Sequence, residues 1–195
     1  MSNPRYRIAI FASGSGTNAE RIIRYFADDQ QICVEMLLSN KPDAYALVRA
    51  TSLGVPAATF TKEAFHDGTV ENLLRGAGIT HVVLAGFLWL IPPSLVSAFP
   101  GRIINIHPSL LPLFGGKGMY GMRVHQAVRD AGVDRTGITI HLVNEHYDEG
   151  NVVFQAECPV LPADSPEDIA ARVHELEYAH FPRIIASWIL GNIPH

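Results

Sequence analysis

The sequence predicts an α/β fold: a single domain over residues 1–195 with a doubly wound, mostly parallel sheet. Apolar strand-like runs alternate with amphipathic helical segments along most of the chain, the order that builds a parallel sheet with helices on both faces. The run Thr80 to Gly86 is apolar at nearly every position, as strands buried on both faces are. A glycine-rich turn also joins the first strand to the first helix, where such sheets bind ligands.

The remaining elements follow from side-chain periodicity and turn residues. Pro56 makes the third strand an expected edge strand, and the triplet 66–68 should interrupt the helix after it. Ser165 caps the last helix, Pro166 opens it, and Pro182 should kink or divide it. The predicted strands lie at 7–12, 32–38, 55–60, 80–86, 103–107, 136–143 and 151–157; the predicted helices follow the turn 13–18 and then cover 43–53, 62–75, 93–99, 122–131 and the segment from Ser165.

Composition indicates a globular enzyme rather than a nucleic-acid or membrane protein. Of the 195 residues, 48% are hydrophobic and 17% charged, and the net charge is −4 without a long run of Lys or Arg. Cys33 and Cys158 lie far apart in apolar runs, so no disulfide framework is indicated. The longest apolar run, Val82 to Ile91, is shorter than the ~20 residues that cross a bilayer, and the first residues do not resemble a signal peptide. We therefore expect a cytoplasmic protein.

Residues 13–18, Ser-Gly-Ser-Gly-Thr-Asn, form a candidate anion-binding corner. Free backbone N–H groups and the helix dipole converge where a strand passes through a glycine-rich turn into a helix. The spacing Gly14-x-Gly16-x-x-Ala19 loosely matches the dinucleotide fingerprint, but a nicotinamide site also needs an acidic residue after the second strand, and the segment 39–42 has none. The corner therefore favours a phosphate on a smaller ligand, and a tight turn without a ligand remains the alternative.

Asn105 and His107 form the strongest catalytic candidate. They lie two positions apart in an apolar strand that Pro108 ends, so both side chains point to the same face at the carboxyl edge of the sheet. This edge is where α/β proteins keep their chemistry. The alternative is that the two side chains only cap a loop.

Two further segments are ambiguous from the residues alone. The apolar segment 87–93 follows a strand end and either lines a pocket for a flat ring system or packs in the core. Asp148 lies in the turn 147–150 between the last two strands, which should form an antiparallel hairpin near the carboxyl-terminal edge of the sheet. Its carboxylate either faces Asn105 and His107 or is solvated.

Asn105-Ile106-His107-Pro108-Ser109-Leu110-Leu111-Pro112, together with Asp148 some forty residues later, resembles the folate-dependent formyltransferase family. The resemblance extends from Arg7 to about Trp188. The glycine-rich turn at 13–18 and the short chain resemble the branch of this family that formylates a phosphoribosyl amine.

The resemblance implies a Rossmann-like fold and transfer of the formyl group of 10-formyltetrahydrofolate, the co-substrate, to the amine of 5-phosphoribosylglycinamide in purine biosynthesis. It implies Asn105, His107 and Asp148 as the catalytic residues, without a metal or covalent intermediate. Asn105 and a protonated His107 would stabilise the oxyanion. Asp148 would keep His107 protonated and relay the proton from the amine to folate through water.

The resemblance also implies the binding residues. Trp89 replaces an arginine common at that position, so a charge contact is lost there, and Leu113 replaces a frequent lysine. The implied residues are Gly16, Thr17 and Asn18 for the phosphate, Glu177 for the ribose, and Leu88, Trp89, Leu90, Ile91 and Asn105 for folate.

Other reactions of the same family remain alternatives. A formyltransferase for another amine, such as an amino-sugar nucleotide, uses the same three residues, and a formyltetrahydrofolate hydrolase needs no acceptor. Relatives that act on transfer RNA or carry a regulatory domain are longer, so we expect neither here. The expected partners are small molecules, with no nucleic acid and no membrane, and the chain is expected to be a monomer or homodimer.

Overall fold

A seven-stranded sheet runs through the centre of the molecule and is covered by helices on both faces. The computed structural model describes residues 5–192. The strands are β1 (Tyr6–Phe11), β2 (Ile32–Ser39), β3 (Ala57–Thr59), β4 (His81–Leu84), β5 (Ile103–His107), β6 (Arg135–Leu142) and β7 (Val152–Pro159). The helices are α1 (Thr17–Tyr25), α2 (Tyr45–Ser52), α3 (Lys62–His66), α4 (Thr69–Gly76), α5 (Pro93–Ala98), α6 (Met122–Ala131) and α7 (Pro166–Ile189).

The strand order is β3-β2-β1-β4-β5-β6-β7. Neighbouring strands from β3 to β5 are parallel, β6 is antiparallel to β5, and β7 is antiparallel to β6. The predicted doubly wound sheet with an antiparallel hairpin is therefore confirmed, and β3 lies at the opposite edge, as Pro56 indicated. The direction of winding reverses between β1 and β4, and sheets of this kind bind ligands beyond the carboxyl ends of the strands at such a reversal.

Side chains of the central strands alternate between two apolar layers. Ile8 and Ile10 of β1 face the layer that contains α1, α2, α6 and α7, whereas Ala9 and Phe11 face the layer that contains α3, α4 and α5. In β5, Ile103 belongs to the second layer, so the other odd-numbered residues of that strand share its face. This alternation orients Asn105 and His107 to the same side of the sheet.

The last helix begins as predicted but is not divided. Ser165 Oγ accepts a hydrogen bond from the Asp168 N–H at 3.2 Å, and Asp168 Oδ2 accepts one from the Ser165 N–H at 2.9 Å, which forms a capping box. Of the kink or division predicted at Pro182, division is wrong, because α7 continues from Pro166 to Ile189. Pro182 is itself buried beside Phe181, and burial of this helix face outweighs the hydrogen bond that proline removes.

The predicted interruption at 66–68 separates α3 from α4. Gly68 adopts a left-handed φ of 91° before α4, and Thr61 Oγ1 caps α3 by accepting a hydrogen bond from the Ala64 N–H at 3.2 Å.

No helix within residues 5–192 combines the length and apolar character needed to cross a membrane.

Candidate active site

The carboxyl end of β5 carries the side chains around which the candidate site is built. Asn105 and His107 lie on the opposite side of the strand from Ile104 and Ile106, which are buried in the core. The His107 side chain is almost completely buried as well, at 4% exposure of the residue. The predicted shared face is confirmed, and both side chains have partners beyond a simple loop cap.

Both ring nitrogens of His107 face defined groups. Nε2 donates a hydrogen bond to the backbone carbonyl of Phe114 at 2.8 Å, and Nδ1 lies 3.5 Å from Oδ2 of Asp148. Phe114 has a left-handed φ of 56°, which costs a non-glycine residue roughly 1–3 kcal/mol and persists only where its surroundings require it. The turn at Phe114 therefore aims a carbonyl at Nε2 and leaves Nδ1 as the nitrogen that can gain a proton.

Asp148 reaches this site from the turn between β6 and β7. Its Oδ2 accepts a hydrogen bond from the Gly116 N–H at 2.9 Å. Burial raises the pKa of this carboxyl, but the imidazoles of His141 and His107 and the Gly116 N–H outweigh burial and hold the pKa below its usual value. Asp148 is therefore an ionised carboxylate that faces the histidines, and its alternative as a solvated turn residue is wrong.

His141 completes the cluster, although the sequence analysis did not select it. It lies opposite Asn105 in the register of β5 and β6. Its Nδ1 donates a hydrogen bond to the Leu142 carbonyl at 2.9 Å, so Nε2 is free to accept one from Asn105 Nδ2 at 3.0 Å; Nε2 also lies 3.6 Å from Asp148 Oδ1. A signal was present, because Thr139 and His141 alternate with isoleucines in a buried strand and so share one polar face.

The surroundings of His107 act on its pKa in opposite directions, so the carboxylate of Asp148 alone does not set its protonation. Burial lowers the pKa of His107 below its usual value; Asp148 and the Phe114 carbonyl act in the opposite direction but do not compensate, and His141 lowers the pKa further. The influence of Asp148 has the expected sign, but desolvation of the imidazolium is larger. Negative charge that develops on a bound substrate would add to the effect of Asp148 and favour protonation of His107.

Replacing His141 with phenylalanine is expected to lower kcat about ten- to hundredfold without a large change in KM. The ring volume stays, but Asn105 loses the acceptor that orients its amide and Asp148 loses a neighbouring imidazole, and small misplacements of reacting groups have effects of this size. Steady-state kinetics check the prediction. His66→Phe, at an exposed position of α3, is the control, and equal kcat values for the two variants would contradict it.

The glycine-rich turn places Gly16, Thr17 and Asn18 at the start of α1. Gly16 has φ 75°, and a Cβ at this position would lie 2.5 Å from Cα of Ala46. The backbone of α2 is thus held against the turn, where the Ala46 N–H donates a hydrogen bond to the Gly14 carbonyl at 3.1 Å. The first N–H groups of α1 have no partner within the helix, as an anion-binding corner requires.

Asn18 connects this corner to the last helix. Its Nδ2 donates a hydrogen bond to Oε2 of Glu177 at 2.8 Å, although the residues are 159 positions apart. Glu177 is buried, and burial raises the pKa of its carboxyl more than the Asn18 hydrogen bond and the nearby His174 lower it. The structure therefore brings Glu177 to the corner that holds Gly16, Thr17 and Asn18, the other three residues that the resemblance implied for the phosphoribosyl group.

Replacing Gly16 with alanine is expected to lower the melting temperature by about 5–10 °C. The substitution combines a left-handed φ with a backbone clash, which we expect to cost about 2–4 kcal/mol of unfolding free energy. The acceptor KM should also rise, whereas the folate KM should not. Gly14→Ala is the matched control, since a Cβ there meets no atom within 4 Å, and equal melting temperatures for the two variants would contradict the prediction.

A polar link joins the corner to the loop after β4. Ser13 Oγ donates a hydrogen bond to Asn40 Oδ1 at 2.7 Å and accepts one from the Leu88 N–H at 3.0 Å. Asn40 follows the second strand, where a nicotinamide site would need a carboxylate, and its amide oxygen accepts the hydrogen bond of the Ser13 hydroxyl. The link fixes the loop backbone at Leu88, whose side chain is half-buried, as is that of Leu90.

The side chains of the segment 87–93 contribute partly to the core. Ile91 is 2% exposed, and the Trp89 ring lies 5.9 Å from Phe65 and 6.1 Å from Phe60, measured between ring centroids. Of the two alternatives for this segment, core packing therefore holds for Ile91. Trp89 packs against the same core but stays half-buried, so part of its side chain is still accessible.

The cluster contains the groups that addition to a carbonyl requires. Asn105 offers an amide N–H, His107 an imidazole that can gain a proton at Nδ1, and Asp148 an ionised carboxylate close to both histidines. Within residues 5–192, no group of three or more His, Cys, Asp or Glu side chains is arranged to hold a metal ion.

A protein-family model described as formyl transferase matches residues 6–185 of the chain. Phosphoribosylglycinamide formyltransferase of Haemophilus influenzae is 37% identical over 193 residues, which cover 96% of this chain and 89% of that protein. The chloroplastic phosphoribosylglycinamide formyltransferase of Arabidopsis thaliana is 40% identical over 94% of this chain, which spans 65% of the plant protein.

Solved structures of a glycinamide ribonucleotide transformylase and a phosphoribosylglycinamide formyltransferase share the fold. Glycinamide ribonucleotide transformylase 1 from Symbiobacterium toebii superposes with a TM-score of 0.87 at 34% identity and covers 95% of this chain and 88% of that one. Phosphoribosylglycinamide formyltransferase from Bacillus halodurans superposes with a TM-score of 0.85 at 34% identity, covering 94% and 95% of the two chains.

Proposed function

The chain belongs to the formyl transferase family, and on that basis we propose that it transfers the formyl group of 10-formyltetrahydrofolate to the amine of glycinamide ribonucleotide. The observation that supports this most directly is the cluster of Asn105, His107 and Asp148 at the carboxyl edge of the sheet. A phosphate corner on the same protein, bonded to Glu177 through Asn18, suits a phosphoribosyl acceptor. The named activity of the relatives agrees with both features.

The reaction begins with attack of the acceptor amine on the formyl carbon. A C–N bond forms, and negative charge develops on the formyl oxygen. One N–H of the Asn105 amide donates to His141, so the other is available to this oxygen. The gap of 3.5 Å between His107 Nδ1 and Asp148 is longer than an ordinary hydrogen bond, so Nδ1 can bind the oxyanion once it carries a proton.

Asp148 handles the proton that the amine loses. Its pKa lies below the usual value, so it is ionised at neutral pH and can accept this proton directly or through one water. Collapse of the intermediate breaks the bond between the formyl carbon and the folate nitrogen, and the same proton neutralises that nitrogen. His107 shares the proton while the oxyanion exists, because a carboxylate and an oxyanion both stabilise imidazolium.

Substrate binding is divided between the two ends of the site. The backbone N–H groups of Gly16, Thr17 and Asn18 bind the phosphate, and Glu177, to which the Asn18 side chain donates, binds the ribose. Folate lies along the loop of Leu88 to Ile91 and against Asn105, held mainly by the loop backbone that the Ser13 hydroxyl positions. We further propose a single catalytic domain that acts in the cytoplasm on small molecules, as a monomer or homodimer.

Incubation with both substrates tests the proposal. Deformylated folate, followed by absorbance, should accumulate only when 10-formyltetrahydrofolate and glycinamide ribonucleotide are both present. Turnover without the acceptor would indicate a hydrolase instead. Turnover with an amino-sugar nucleotide but not with glycinamide ribonucleotide would indicate a formyltransferase for a different amine, and either result would overturn the assignment.

A further inference from the structure

A second polar cluster lies where α1, α6 and α7 meet, and the mechanism above does not use all of it. Four buried side-chain polar atoms in the described residues lack a hydrogen-bond partner, and three of them are here: Asn18 Oδ1, His125 Nδ1 and His174 Nδ1. Native proteins satisfy nearly all buried polar groups, so unpartnered atoms gathered in one place give this cluster free hydrogen-bonding capacity for a ligand.

The members of this cluster form a continuous series. Asn18 Nδ2 bonds to Oε2 of Glu177 at 2.8 Å, and His174 Nδ1 lies 3.7 Å from the same oxygen. The rings of His174 and His125 follow, with their centroids 6.3 Å apart. His125, on α6, is the most deeply buried residue of this series, with 2% of its surface exposed.

The identity of residue 125 is not explained by packing. Its neighbours on the buried face of α6, Val124 and Val128, are fully buried aliphatic residues. A helix that packs on α7 through such residues would be served as well by another aliphatic side chain, and a buried imidazole without a partner is unfavourable. A ligand that bonds to His125 would account for its presence.

We infer that His125, with His174 and Asn18, recognises the sugar hydroxyl groups of the acceptor. His125 is thereby a specificity-determining residue. The inference rests on the proposed function, because it places the acceptor's sugar beside Glu177. It goes beyond that function by assigning a role to two histidines on α6 and α7.

The chemistry of the unpartnered atoms favours hydroxyl groups over phosphate. The N–H group of Asn18 is bonded to Glu177, so its carbonyl oxygen is an acceptor that needs a donor. Burial lowers the pKa of His125 to about 4, and the charges of His174 and His107 lower it further, so its ring is neutral and can accept or donate. A phosphate offers only acceptor oxygens and would meet the acceptor oxygens of Asn18 and Glu177, whereas each sugar hydroxyl group can donate to one of these oxygens and accept from an imidazole N–H.

The test compares glycinamide ribonucleotide with its analogue that lacks a ribose hydroxyl. We expect wild-type enzyme to prefer the ribose form in kcat/KM. In His125→Phe, which keeps a ring of similar size, that preference should fall about three- to tenfold, with kcat and the folate KM within twofold of wild type. His125→Gln, which keeps a donor and an acceptor, should retain most of the preference, and thermal melts establish that each variant is folded.

His180→Gln on α7 is the matched control, because this half-buried histidine packs on Phe154 and not on the cluster. An unchanged preference in folded His125→Phe, or an equal loss with both acceptors, would overturn the inference and leave the proposed function intact. Wild-type enzyme that formylates neither acceptor would overturn the proposed function and this inference with it.

Discussion

Asp148→Asn is expected to lower kcat about a thousandfold and to leave folate affinity within twofold of wild type. Asparagine has the same shape, tolerates the left-handed φ of 56° at this position, and can still accept the hydrogen bond from the Gly116 N–H. What it cannot do is take the proton of the attacking amine or stabilise a protonated His107 at 3.5 Å. Loss of a positioned general base has effects of about 10²–10⁴.

Stopped-flow or steady-state kinetics measure kcat for Asp148→Asn, and fluorescence titration with folate measures its folate affinity. Asp134→Asn, an exposed carboxylate whose side chain has no part in the site, is the matched control and should behave as wild type. Near-normal turnover in Asp148→Asn would refute the proton-transfer role. Loss of folate affinity together with turnover would instead show that Asp148 organises the turn between β6 and β7.

The parts of the site that the sequence predicts are those set by local rules. Strand alternation predicted that Asn105 and His107 share a face, and Pro108 predicted where β5 ends. The order of strand, glycine-rich turn and helix predicted the corner at 13–18, and Gly16 lies in it with φ 75° directly before α1. These features depend on neighbours within a few positions along the chain.

The parts that sequence reasoning did not supply depend on contacts between distant segments. The register of β5 and β6 places His141 opposite Asn105, 36 positions earlier in the chain. A pattern of alternating residues within one strand does not show how that strand is aligned with its neighbour. The protonation state of His107 depends on how deeply the imidazole is buried, and desolvation outweighed the carboxylate that the sequence did suggest. For Ile91, the sequence left pocket and core open, and tertiary packing against the second layer decided it.

Asn105→Ala is expected to lower kcat by about 10²–10³ with little change in either KM. The amide contributes an N–H that binds the formyl oxygen only when that oxygen becomes negative, so its loss affects the transition state more than the bound substrates. Steady-state kinetics with each substrate varied in turn check this. Asn72→Ala, at an exposed position of α4, is the control, and a kcat for Asn105→Ala within fivefold of that control would refute the oxyanion role.

Combining Asn105→Ala with His141→Phe tests how His141 acts. Because His141 Nε2 accepts the hydrogen bond that orients the Asn105 amide, the second substitution should cost little once the amide is gone. Residues that act through one another give non-additive effects, whereas independent residues give multiplicative losses in kcat. Fully multiplicative losses in kcat would mean that His141 acts through Asp148, which lies 3.6 Å away. In that case, combining His141→Phe with Asp148→Asn should give the non-additive effect instead.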